Sequence, residues 1–126
     1  MSLITYFCLI LIASYNYAQT SKNITETTKP IITFVELGSV NCIPCKKMQP
    51  VMKSIESKYG NKIKVIFHDV WTDKGKPYAQ KFKIKLIPTQ IFLDKSGKEF
   101  FRHEGFFSEE DIDKLLQEKG IKPVKK

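Results

Sequence analysis

The junction between residues 31–37 and residues 42–59 limits the folds open to this chain more than any other feature. Ile31, Ile32, Phe34, Val35 and Leu37 make a β-branched and aromatic run, apolar apart from Thr33 and Glu36, which is the pattern of a strand buried on both faces. Gly38 and Ser39 predict its end. Beyond Cys42 the spacing changes: Met48, Met52, Ile55 and Tyr59 recur at helical intervals until Gly60 supplies a C-terminal stop. This helix is long and amphipathic, and Pro50, which removes a backbone donor, predicts a bend in it.

The rest of the chain keeps alternating between the two periods. Residues 63–70 are β-rich and read as a second strand. A short helix over 77–82 follows, with Pro77 in its first turn and Tyr78 and Phe82 on one face. Residues 89–93 and 98–103 read as a hairpin around Asp94-Lys95-Ser96-Gly97. Ser108 caps a last helix with Glu109, Glu110 and Asp111 in its first turn; Ile112, Leu115 and Leu116 face inward, and Gly120 ends it. The order β-α-β-α-β-β-α over residues 30–120 is an α/β domain, and a chain of 126 residues has room for one such domain and not two.

The ends differ from this body. Residues 1–18 carry no charged side chain and residues 3–13 are almost unbroken apolar sequence. That is too short for a bilayer needing about 20 helical residues, but it suits the apolar region of a signal peptide, here without the usual Lys or Arg before it. Cleavage after Ala18 is expected, and with it a periplasmic or secreted location; an uncleaved anchor is the alternative. Residues 19–29 read as a polar linker with a short edge strand at 24–28, and residues 121–126 as a basic tail. Without the leader, two of the three cysteines are left, Cys42 and Cys45. A Cys-x-x-Cys loop is too small to staple a fold, so its use is chemical. The formal charge of +8 does not point to nucleic acid: Lys53, Lys98 and Lys114 are interleaved with Glu56, Glu99 and Glu118, and Arg102 is the single arginine.

Cys42-Ile43-Pro44-Cys45 lies between the buried strand and the helix. A thiol at a helix N-terminus meets unpaired N–H groups and the positive end of the dipole, which stabilise its thiolate. Cys42 is therefore the expected nucleophile and Cys45, one turn further in, the resolving thiol. Pro44 is tolerated there because its missing N–H has no intrahelical partner.

The run Cys42-Ile43-Pro44-Cys45-Lys46 with Pro50 five residues on resembles the active-site helix of thioredoxins. Ile87-Pro88-Thr89 is similar to that family's cis-proline loop, and Gly105 to its late glycine. The resemblance covers roughly residues 30–119 and implies the thioredoxin fold, a central mixed β-sheet flanked by helices. It implies thiol:disulfide exchange through a mixed disulfide, needing no cofactor or metal and carried out by a monomer. It also implies that Pro88 is cis and faces the pair, as only X-Pro bonds are cis at small cost. Ile43, Pro44, Ile87 and Trp71 are the residues expected to face the substrate. Glu36, six residues before Cys42, stands where thioredoxins carry a buried aspartate; its carboxylate would take the proton of Cys45, unless it faces solvent.

The chain also departs from the family pattern. Asn41 and Gly38 replace aromatic residues around the pair, and Trp71, the sole tryptophan, is expected to fill the space at Gly38. No histidine lies between the cysteines to stabilise the attacking thiolate, so the couple should be reducing. Exported thioredoxins of this appearance imply partners of two kinds, a membrane thiol carrier as electron donor and exported disulfide proteins, apocytochrome c among them, as acceptors. The alternatives are an oxidase or isomerase of the same fold, and a metal module in which His68 or His103 joins the cysteines.

Overall fold

A computed structural model describes residues 29–124; the expected signal peptide, nearly all of the linker with its edge strand, and the last two residues lie outside it. Four strands and three helices follow in the order β1 (Ile32–Gly38), α1 (Ile43–Tyr59), β2 (Ile63–Asp69), α2 (Lys76–Lys81), β3 (Thr89–Leu93), β4 (Glu99–Glu104) and α3 (Glu109–Glu118), with one 3-10 turn, Gly60–Lys62, after α1. The strands form one mixed sheet in the order β2-β1-β3-β4. β1 pairs parallel with β2, and antiparallel with β3, which pairs antiparallel with β4.

The burial of β1 explains its apolar run. Side chains alternate between the two faces of a strand, so Ile32, Phe34, Glu36 and Gly38 share one face and Thr33, Val35 and Leu37 the other. Ile32 and Phe34 join Met48, Met52, Ile55 and Tyr59 of α1 and Ile112 and Leu116 of α3 in the larger core. Val35 and Leu37 join Val70 and Ile91 in a smaller one, with Ala79 and Phe82 packed on it. Phe34 and Phe92 stack across β1 and β3 at 4.7 Å between centroids. α1 runs through Pro50, which is exposed.

α3 is capped by Ser108, whose Oγ accepts the Asp111 N–H at 3.1 Å. Lys58 ties α3 to α1 through Glu109 at 2.6 Å and Asp113 at 2.5 Å, and the Tyr59 hydroxyl donates to Asp113 at 2.9 Å. Residues 121–124 lie against the same helices: Ile121 is buried in the larger core, and the Val124 N–H donates to the Lys58 carbonyl at 2.9 Å. Gly38 does not stop β1 as expected. It is the last strand residue, because the ladder continues through its pairing with Asp69 and the bond from Val70 N–H to its carbonyl.

Candidate functional site

The sheet topology brings three loops to one edge. Because β1 and β2 are parallel, their C-terminal ends coincide; β3 runs the other way, so its N-terminal end joins them, with Leu37 opposite both His68 and Thr89. The loop holding Cys42, the loop holding Trp71 and the segment Ile87-Pro88 therefore meet at this edge. Cys42 is the N-cap of α1, and its Sγ accepts the Cys45 N–H at 3.4 Å. The Cys42 N–H donates to the Ser39 carbonyl at 3.2 Å. Cys42 and Cys45 are joined as a disulfide with Cα atoms 5.2 Å apart. Cys42 is 8 % exposed and Cys45 1 %, so the N-terminal sulfur is the one nearer solvent.

Gly38 is what lets Cys45 sit so deep. A Cβ at this position would lie 3.2 Å from both Cβ and Sγ of Cys45 and 3.5 Å from the Phe67 ring. The space in front of Gly38 is thus taken by Cys45 itself and by Phe67, and the expectation that Trp71 fills it is corrected. Trp71 is 58 % exposed; its N–H is held by Asp69 Oδ1 at 3.0 Å while Oδ2 of the same carboxylate holds the Val40 N–H at 3.1 Å. Burial raises the Asp69 carboxyl, but the N–H donors of Val40 and Trp71 and the Ser39 hydroxyl outweigh it and hold the group below the usual carboxylate value. Asp69 thereby fastens the cysteine loop to the tryptophan loop, a role that sequence reasoning missed.

Ile87-Pro88 is cis, as the resemblance implies, and Pro88 is buried. Its carbonyl accepts the Gly105 N–H at 2.8 Å, which ties the end of β4 to the proline loop. In the loops that reach this sheet edge, Val40, Ile43, Trp71 and Leu86 are exposed apolar side chains, Pro44 is exposed and Ile87 is half-buried.

Glu36 is wholly buried, on the same face of β1 as Gly38 and so on the side of Cys45. Burial pushes its carboxyl up to about 8, against the smaller lowering effect of the Gln90 side chain. Gln90 Nε2 donates to Oε1 at 3.4 Å, and Oε2 has no partner. A carboxyl of this kind is largely protonated at neutral pH, and its ionised fraction is a base strong enough to take a proton from a thiol.

The histidines do not join the cysteines. His68, opposite Leu37 and on the face away from Gly38, stacks on Tyr78 at 3.5 Å, and burial, then the charge of Lys81, lower its pKa. His103 is bonded to Gln90 and stacked on Phe107. Among the described residues no group of three or more His, Cys, Asp or Glu side chains could hold a metal ion.

Residues 17–120 match the family described as thioredoxin-like domain. The chain is 34 % identical over 80 residues to the chloroplastic thioredoxin Y of Oryza sativa subsp. japonica, covering 64 % of this chain and 45 % of that protein. It is 27 % identical over 97 residues to the thioredoxin of Bacillus subtilis (strain 168), covering 77 % and 90 %. Among solved structures, thioredoxin-2, described as a component of the malaria parasite protein secretion machinery, superposes with a TM-score of 0.64 at 25 % identity over 70 % of this chain and 82 % of that one. This chain has a buried strand that delivers a cysteine pair to a helix N-terminus, and a cis-proline in the loop that reaches the same sheet edge; with these matches, it belongs to the thioredoxin-like family as a thiol:disulfide oxidoreductase.

Proposed function

We propose that the protein is a reductase of exported protein disulfides and works through Cys42-Ile43-Pro44-Cys45. The observation that carries this reading is the placing of Cys42 as N-cap of α1, nearer solvent than Cys45, with exposed Ile43 and Pro44 between them. In the reduced protein the Cys42 thiolate attacks one sulfur of a substrate disulfide; that S–S bond breaks, and a mixed disulfide forms as the first substrate thiolate leaves. Glu36 in its ionised form then takes the proton of Cys45, and the Cys45 thiolate attacks Cys42 Sγ. The Cys42–Cys45 bond forms, the bond to substrate breaks, and the second substrate sulfur departs as thiolate. Two electrons have moved from the cysteine pair to the substrate, and a donor dithiol must return them; a membrane thiol carrier fits that role.

The direction rests on the residues between the cysteines. Neither Ile43 nor Pro44 adds charge or a donor that would favour the thiolate, so the reduced state gains no extra stability. Val40, Ile43, Trp71, Leu86 and Ile87 offer an extended polypeptide an apolar rim around the disulfide. The uncharged leader over residues 1–18 supports action outside the cytoplasm. Equilibration with glutathione tests the direction: a potential near about −270 mV is expected, and one near about −120 mV would make the protein an oxidase.

A further inference from the structure

Strand register places four side chains in one transverse row on the face covered by α1 and α3. Glu36 of β1 lies opposite Phe67 of β2 and Gln90 of β3, and Gln90 lies opposite His103 of β4. Three of the four are polar, and they are connected. Gln90 Nε2 reaches Glu36 Oε1 at 3.4 Å, and Gln90 Oε1 reaches His103 Nδ1 at 3.0 Å. Glu36 and Gln90 have no exposure, while His103 is half-buried and stacked on Phe107 at 4.3 Å. The sulfur of Cys45 lies beside Gly38, two residues beyond Glu36 on the same face of β1.

A primary amide has two unlike ends: its nitrogen donates and its oxygen accepts. Gln90 between two partners can be set either way. With nitrogen toward Glu36, Oε1 of the acid is occupied by a donor, and an acidic proton has to sit on Oε2. With oxygen toward Glu36, the amide would accept that proton and hold it on the side of Gln90. Only the first setting leaves the proton on the oxygen that has no other partner. What selects it is the group at the other end: a donor on His103 requires the amide oxygen to face β4, hence the nitrogen to face Glu36.

We infer that His103 and Gln90 are positioning residues for Glu36: His103 donates from Nδ1–H to the amide oxygen, and the amide, so fixed, occupies Oε1 and leaves Oε2 as the oxygen that takes the proton of Cys45. This rests on the reading of Glu36 as the base of Cys45. No new chemical step is added; one proton still moves between Cys45 Sγ and Glu36 Oε2 in each resolution. The His103 ring also closes the row against solvent, since it lies flat on Phe107, whose N–H is held by Met48 Sδ at 3.4 Å.

The experiment compares wild-type protein with His103→Phe, which keeps an aromatic ring beside Phe107 and loses the donor, and with His103→Asn, which restores a donor at the place of Nδ1. A preformed mixed disulfide between Cys42 and a small aromatic thiol is resolved in a stopped-flow instrument, and thiol release is timed. Loss of one hydrogen bond predicts about fivefold slower resolution in His103→Phe, return toward the wild-type rate in His103→Asn, and no further slowing when His103→Phe is added to Glu36→Gln. Nitrogen-15 resonances of the His103 ring in the wild-type protein should show the proton on Nδ1. If Glu36→Gln is slow and His103→Phe is not, the positioning role is wrong and the base remains. If Glu36→Gln resolves as the wild type does, the reading of Glu36 fails and the positioning role with it. An unprotonated Nδ1 at neutral pH overturns the inference whether or not the variants fold.

Discussion

Replacing Glu36 by glutamine should make the protein more stable, and increasingly so as the pH rises. A carboxyl raised from 4.5 to about 8 by burial binds its proton more tightly in the folded than in the unfolded chain. Below pH 4.5 both states hold the proton and the folded state loses nothing. Between pH 4.5 and about 8 only the folded state holds it, so stability falls with pH by about 1.4 kcal/mol for each unit. Above that value folding must bury a charge, and the accumulated loss reaches about 5 kcal/mol. Glutamine has nearly the same shape and never ionises. The difference between Glu36→Gln and wild type should therefore start near zero at pH 4.5, grow through neutral pH and level off beyond pH 8. Urea unfolding of the two oxidised proteins across pH 4 to 9 measures it, and subtraction cancels every other titrating group. A difference that stays constant over this range would show that Glu36 titrates alike in both states, and would remove the basis for its role beside Cys45.

Gly75→Ala should destabilise by about 3 kcal/mol, read as a lower thermal midpoint, because a Cβ there would overlap the carbonyl oxygen of Asp69 and come within 2.9 Å of Val70 N. Asp69→Ala, which frees the N–H groups of Val40 and Trp71, should cost about 1–2 kcal/mol and slow disulfide exchange. Since the Asp69 carboxyl lies below its ordinary 3.8, the stability it adds is full above that pH and should be lost as the pH falls further.

Much of the site was legible because its signals are local. The Cys-x-x-Cys pair at a strand-to-helix junction needs no partner to be recognised, and Ser108 before three acidic residues marks a helix start by itself. Glu36 was conspicuous as a charge inside an apolar run. Gln90 gives the same signal, a polar residue between Thr89 and Ile91-Phe92, but its meaning depends on register, and only pairing with Glu36 on one side and His103 on the other reveals it. Trp71 was misjudged for a related reason: sequence locates the end of a strand, not the direction of the side chain beyond it. The space at Gly38 went to Cys45 and to Phe67, and the position of Phe67 follows from a parallel pairing that no local pattern encodes. Gly75 was likewise invisible, since what demands a glycine there is a carbonyl six residues earlier folding back on it.

β1 is hydrogen-bonded along both sides, to β2 and to β3, and it carries at its C-terminal end the loop that presents Cys42. The segment between β2 and β3 is built differently: Trp71, Lys74, Lys76, Pro77, Lys85 and Leu86 are exposed, and α2 is six residues long. Amide hydrogen exchange would divide the molecule along this line, slowest for β1 and fast for the segment between β2 and β3. The strand that holds the reactive sulfur is thus fixed on both sides, and any opening of the neighbouring segment would leave the cysteine pair in place.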